Sequence, residues 1–252
     1  MNPREYDLMY RVEDDHWWYV GMRAISWAML VDRVRDLPAP RILDAGCGTG
    51  RNVLALGRLG ETTGIDLSPR AIELSAKRGL KRLARASVAQ LPFADGTFDI
   101  VTAFDVLCHE AVPDEAAALR EFGRVLRPRG WLLVHLPAHA WLKSPHDRAV
   151  HNERRYAAAD VRAMLRAAGF AVERMTYANT VLFPLAALKR LADRALRAGR
   201  RTSDLESGFG WIGLVFRTIL VLEARLIRHV DLPFGLTLVA LARKDGEPRR
   251  PA

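Results

Sequence analysis

From residue 41 onward the chain alternates between short apolar runs and longer stretches in which apolar residues recur every three to four positions. The first pattern is that of a buried strand, the second that of an amphipathic helix. RILDA (41–45), ETTGID (61–66), RLARAS (82–87), FDIVTAF (98–104), GWLLVHLP (130–137) and AVERMTY (171–177) read as six strands, and LTLVALARK (236–244) as a last one. NVLALGRL (52–59), SPRAIELSAKRG (68–79), DEAAALREFGRVL (114–126) and AADVRAMLRAAGF (158–170) read as the helices between them. Helix signals mark their ends: Ser68 as N-cap before Pro69, Gly79 and Gly169 as closing glycines, and Arg127-Pro128 as a stop. Strands alternating with helices predict a mostly parallel sheet with helices on both faces.

In sheets of this kind a short hairpin joins the last two strands. Here residues 178–235 intervene, and most of them read as helix. In LFPLAALKRLADRALR (182–197), Leu185, Leu188, Ala192 and Leu196 share one face, with Arg190, Arg194 and Arg197 on the other. The second helix, WIGLVFRTILVLEARLIRHV (211–230), is more apolar. No repeat or low-complexity linker divides the chain. The predicted organisation is an N-terminal helical arm (1–37), a ligand-binding core (38–177), a helical insertion (178–235) and a final strand with its tail (236–252).

Composition adds little to this picture. A chain of 252 residues that is 50% hydrophobic suits one α/β domain with a helical addition, and 27% charged residues exclude wholesale disorder. The net charge of +9 favours an acidic partner such as nucleic acid or an anionic membrane face. Its even spread favours the plainer reading, arginine used as a solubilising charge. Cys47 and Cys108 form no CxxC pair, so no zinc framework is expected; both are placed in the ligand cleft as free thiols. The N-terminal stretch lacks an apolar signal core, and the most apolar segment is broken by Arg217 and Glu223. A cytoplasmic protein is the expectation.

The chemistry starts at Asp44-Ala-Gly46-Cys47-Gly48-Thr-Gly50, where the first strand turns into a helix. Small residues there let the backbone approach a ligand, and the helix start offers free N–H groups. Asp66 ends the second strand, where an acid can accept both hydroxyls of a ribose. A glycine turn flanked by two acids points to a nucleoside pocket. The G-x-G-x-G spacing departs from the G-x-G-x-x-G of nicotinamide-dependent enzymes.

LDAGCGTGRN, GIDLSP, AQLPFADGTFDIVTAFDVLCH and FGRVLRPRGWLLVHLP together resemble the class I S-adenosylmethionine (SAM)-dependent methyltransferases, in particular the type 11 methyltransferase domain, over residues 38–177. The resemblance implies a Rossmann-like α/β sheet whose last strand is antiparallel. It implies that the turn carrying Gly46, Cys47, Gly48 and Gly50, behind Asp44, holds the methionine and ribose parts of SAM. Asp66 would take the ribose diol, Leu67 the adenine, and Phe104 and Asp105 the methionine side. One position departs: Ser87 stands where the family usually has an Asp facing the adenine amino group, which shifts adenine recognition toward the Val88 amide. The opening Glu13-Asp-Asp-His16-Trp17-Trp18 with Arg23, and His151-Asn-Glu-Arg154-Arg155-Tyr156, resemble a bacterial subset of the family. These give Trp17, Trp18, Arg23, His151, Arg155 and Tyr156 as candidate substrate residues. Trp17 and Trp18 either cap the sulfonium or pin the arm to the sheet. The segment 151–156 is alternatively a helix-entry loop held by ion pairs.

His109, after the fourth strand, is the candidate general base, or else a histidine that shapes the wall. His135, His139, His146 and His151 cluster in sequence without an acidic partner set, so no metal is expected. The implied activity is methyl transfer to a small, apolar or amphiphilic metabolite. The insertion would form a lid or acceptor wall, or rest on an anionic membrane. A nucleic-acid methyltransferase and a non-catalytic SAM-binding regulator are the alternatives. The first has no RNA-binding module or aromatic-basic platform to support it. Oligomeric state is not legible.

Overall fold

Adjacent residues of a strand face opposite sides of its sheet, and the apolar residues of this chain divide accordingly. The computed structural model describes residues 1–35, 37–143, 147, 150–195 and 210–245. Its seven strands are β1 (Arg41–Ala45), β2 (Glu61–Asp66), β3 (Leu83–Arg85), β4 (Phe98–Phe104), β5 (Leu126–Pro137), β6 (Phe170–Ala178) and β7 (Thr237–Lys244). Leu43, Val101, Leu132 and Leu238 point to one side, where α5 (Glu115–Val125) and α6 (Ala158–Ala167) cover them with Leu119, Phe122, Val161 and Leu165. Ile42, Ile100, Leu133 and Val239 point to the other. There they meet Ile25, Met29 and Leu30 of α2 (Trp17–Val34) and Ala224 and Ile227 of α8 (Gly210–Ile227). α2 and α8 are thus full members of one layer.

The strand order is β3-β2-β1-β4-β5-β7-β6. β1 to β5 pair in parallel, and β7 runs antiparallel to both β5 and β6. The order reverses between β1 and β4, and a sheet of this kind binds ligands in the crevice beyond the carboxyl ends of the strands at that point. Connections are short: α3 (Arg51–Leu56) follows β1, and α4 (Pro69–Lys77) follows β2 behind the Ser68 cap, whose Oγ accepts from the Ala71 amide. α3 is shorter than the sequence pattern suggested, ending at Gly57 rather than continuing to Leu59. β5 is longer, because it begins at Leu126, directly past the end of α5.

α1 (Pro3–Val12) lies outside both layers. Tyr6, Met9 and Tyr10, spaced for one helix face, pack on Ala71 and Leu74 of α4. Ion pairs Asp7–Arg70, Asp14–Arg51 and Glu13–Arg78 fasten it there. The insertion supplies α7 (Phe183–Ala195) and α8. Leu196 and Arg197, assigned above to the first of these helices, lie outside the described residues. No helix among the described residues is long and apolar enough to cross a membrane.

Candidate active site

The glycine turn owes its shape to conformations that only glycine adopts cheaply. Gly46 and Gly48 have φ of +85° and +56°, and a Cβ on Gly46 would lie 2.2 Å from Val106. Gly50, at φ +87°, stands as the N-cap of α3 and packs on Ser75 and Leu80. The turn is held from below by Asp66, whose carboxylate accepts from the Gly48 amide at 3.0 Å and the Ser68 amide at 2.8 Å. Burial pushes the pKa of Asp66 up, and those two amides pull it back. Asp44 is buried behind the turn. Its Oδ1 accepts from Thr102 at 2.8 Å, while its Oδ2 has no partner among the described residues. Desolvation raises its pKa to about 7.

A cavity of about 1010 Å³ opens beyond these strand ends. Of the residues expected to hold a cofactor, Gly46, Cys47, Gly48, Asp66, Leu67, Ser87, Val88, Phe104 and Asp105 line it. Asp44 and Gly50 do not; they lie one layer back and shape the turn. Both cysteines are free, as expected, but only Cys47 faces the cavity. Cys108 is turned away toward the Asn152 side-chain oxygen at 3.2 Å. The Ser87 hydroxyl is engaged by the Ala89 amide, in keeping with its place in a tight turn. Asp105 has φ of +55°, and burial raises its pKa to about 6 against the opposing pull of Arg155.

Among the candidate substrate residues, Trp17, Trp18, Arg23 and Arg155 line the same cavity. Trp17 meets Phe216 of α8 edge to face at 5.3 Å, so it both pins the arm and forms wall. Arg23 donates to the Glu13 carbonyl at 2.7 Å and closes the end of α1. Arg155 donates to the Asp147 carboxylate from Nε and from one terminal nitrogen. His151 and Tyr156 are not on the wall. His151 pairs with Glu110 and lies 3.1 Å from the Asn2 side-chain oxygen, and the Tyr156 hydroxyl donates to Glu115. Both side chains are thus turned to carboxylates and not to the cavity.

The histidines separate by environment. His109 lines the cavity; its Nδ1 accepts from the Ala111 amide at 3.0 Å, and its Nε2 lies 2.7 Å from the Met1 nitrogen. Burial lowers its pKa to about 4. His135, beneath the Phe104 ring at 4.2 Å, is held to about 3 by burial. Its Nε2 is 3.2 Å from Ser26 Oγ, whose proton goes to the Met22 carbonyl, so Nε2 carries the imidazole hydrogen. His139 stacks on Tyr177, and His146 lies outside the described residues. No group of side chains among the described residues is arranged to hold a metal ion.

His135 gives a pH prediction. Its folded pKa lies below the unfolded value of 6.5, so as pH falls the unfolded chain takes the proton first and stability is lost from 6.5 downward to about 3. Asp44 shifts the opposite way, so the term is isolated by difference. The stability advantage of wild type over His135→Gln should shrink by about 2 kcal/mol between pH 7 and pH 5 in urea melts. A constant difference would place the imidazole in water.

Sequence reasoning missed the contribution of α1. Tyr6, Met9 and Glu13 line the cavity, and the Tyr6 hydroxyl lies 3.5 Å from Asp66. The apolar spacing of Tyr6, Met9 and Tyr10 was the available signal. Residues 43–134 match the model of a methyltransferase domain. That match covers little more than a third of the chain. A ubiquinone biosynthesis O-methyltransferase from Xanthomonas oryzae pv. oryzae is 35% identical over 106 residues, 39% of this chain and 44% of that one. The chain thus spans less than half the length of the curated relative it matches. Among solved structures, a [4+2]-cyclase, SpnF, is 26% identical with a TM-score of 0.55, covering 87% of this chain and 81% of its own. A SAM-dependent methyltransferase from Thermotoga maritima, 19% identical with a TM-score of 0.57, covers 95% and 99%. This last likeness is one of fold.

The residues fit SAM. The glycine cradle leaves backbone open to a ligand, the Asp66 carboxylate has acceptor capacity beyond its two amides, and the cavity exceeds what one small molecule fills. The methyltransferase domain would hold the ribose at Asp66, the adenine between Leu67 and Val88, and the methionine part along Gly46, Phe104 and Asp105.

Proposed function

We propose that the protein transfers a methyl group from SAM to a small, apolar or amphiphilic acceptor. One observation supports this most. The cavity lined by Asp66, Leu67 and Val88 is also lined by the apolar Leu142, Leu182, Leu185 and Phe216, with Phe104, Asp105 and His135 on the same wall. Cofactor and acceptor would share one chamber. SAM supplies a methyl on a sulfonium with a good leaving group, so the chain's task is to align the partners and exclude water. Orientation of this kind is worth roughly 7–11 kcal/mol. α1 closes the chamber over the glycine turn, and α7 and α8 of the insertion form its acceptor wall. With Nδ1 accepting from the Ala111 amide, neutral His109 carries its hydrogen on Nε2, so toward a hydroxyl acceptor it offers a donor that orients the oxygen and not a base. Its lowered pKa keeps it neutral at physiological pH.

The ubiquinone-pathway relative makes phenolic and quinol lipids the first acceptors to test. Purified protein given methyl-labelled SAM and a panel of such compounds should place label in the organic phase, and EDTA should leave the rate unchanged because no ligand set among the described residues is arranged for a metal. Label found in added RNA instead would favour the nucleic-acid reading. SAM binding without transfer to any acceptor would favour a regulator. Loss of activity with EDTA and its return with a divalent ion would overturn the metal-free chemistry.

A further inference from the structure

α8 is largely apolar, yet among the described residues only one side of it is buried. Its inner face, Leu220, Ala224 and Ile227, is buried, and the helix packs on α2. Gly21 of α2 lets Leu220 approach so closely that a Cβ there would lie 2.4 Å from it. Glu223 turns inward and accepts from the amides of Asn179, Thr180 and Val181, which fixes the start of the insertion. Arg228 pairs with Asp32 of α2. The helix is therefore firmly seated, and its outer face is a fixed surface.

That outer face carries Trp211 (74% exposed), Leu214, Val215, Leu222 (53%) and Leu226 (50%). Positions 211, 215, 222 and 226 fall within one helical stripe. Such a stripe on a soluble surface needs an occupant. Charge decides which. Arg225 is exposed beside the stripe and Arg217 is exposed on the flank beyond Leu214; neither makes an ion pair among the described residues. The acid of this helix, Glu223, is turned away from it. Two copies joined face to face would set these arginines against their own counterparts with no carboxylate on the helix to meet them. A surface of anionic lipid offers hydrocarbon to the stripe and phosphates to the arginines, and a tryptophan at one end suits the headgroup boundary.

We infer that the outer face of α8 lies in the surface of an anionic bilayer, the helix parallel to the membrane and not across it. Phe216, on the same helix, lines the cavity, and so does Leu185 of α7, which is 58% exposed and marks where the cavity opens. Docking through α8 brings that opening close to the lipid, so that an amphiphilic acceptor enters from the bilayer. The delivery step rests on the methyl transfer proposed above; the docking does not.

Co-sedimentation with phosphatidylglycerol/phosphatidylcholine vesicles and with pure phosphatidylcholine vesicles separates these. Wild type should bind the mixed vesicles and bind the neutral ones more weakly. The double variant Leu222→Glu/Leu226→Glu, whose changes are on the solvent face, should lose at least about tenfold in binding to mixed vesicles. Arg217→Gln/Arg225→Gln should lose about tenfold on mixed vesicles only. Unchanged SAM affinity in both variants would certify the fold, independently of any methyl transfer. Equal binding of wild type and the Leu variant, or no binding to either vesicle, would overturn the inference. A wild-type dimer in light scattering that the Leu variant makes monomeric would assign the face to a second copy instead.

Discussion

Replacing Asp66 by alanine is expected to weaken SAM binding by about 100-fold or more, since each hydrogen bond to a charged group contributes about 1.5–3 kcal/mol and the ribose diol can make two. The expectation follows from position. Asp66 ends β2, its carboxylate is on the cavity wall, and its two backbone partners leave lone pairs for a ligand. The same two amides mean that alanine also frees the glycine turn, which adds to the loss. Asp66→Asn keeps one acceptor oxygen and nearly the same volume, so it should fall between wild type and alanine. Calorimetry with SAM and with its demethylated product would measure both. Equal affinity in wild type and Asp66→Ala would mean that the nucleoside end of the site lies elsewhere.

The second large effect is on stability. Arg78 donates to Glu13 at 2.8 Å, Asp14 at 3.2 Å, and the carbonyls of Thr49 at 2.9 Å and Tyr10 at 3.1 Å, with its guanidinium 4.4 Å over the Tyr10 ring. Its side chain is 10% exposed and that of Glu13 7%. Burial already pushes the Glu13 pKa up, with Thr49 and Arg78 pulling it down. Removing the cation leaves that carboxylate desolvated beside the Thr49 hydroxyl, and breaking a buried pair this way costs about 3–5 kcal/mol. The chain has one way to limit the cost, which is to lift α1 and return Glu13 to water. Arg78→Ala should therefore either lower Tm markedly or keep Tm while residues 1–16 become open to hydrogen exchange and proteolysis. An unchanged Tm together with unchanged protection of residues 1–16 would contradict the account of how α1 is held.

The strands, their alternation and the turn at residues 46–50 were legible because each rests on local rules. Ile42 against Leu43 and Ile100 against Val101 are two-residue patterns that assign faces without knowledge of the partner layers. Asp66 was legible for the same reason: it ends a strand whose neighbour begins the glycine turn. The pairing of β7 between β5 and β6 was not, since a run such as LTLVALARK names no partner. Nor was the cover supplied by α1. Tyr6 reaches Asp66 across 60 positions, a distance no periodicity encodes. His151 and Tyr156 were expected on the wall because their loop follows β5, but their side chains turn to Glu110 and Glu115, a choice made by partners 41 positions away. Ser26 and His135 carry no local mark at all, and only the packing of α2 on β5 makes them neighbours.

The place of β7 has a consequence during synthesis. β6 is bonded into the sheet through β7 alone, and β7 is also what covers the outer edge of β5. β7 begins one hundred positions after β5 ends. At elongation rates of about 5–20 residues per second, the ribosome leaves that edge of Leu, Val and His residues without a hydrogen-bonding neighbour for roughly 5–20 s. An open apolar strand edge is a template for another chain. Until its own last strand arrives, that edge is protected from a wrong partner only by what docks on it first, such as the chain that follows β5.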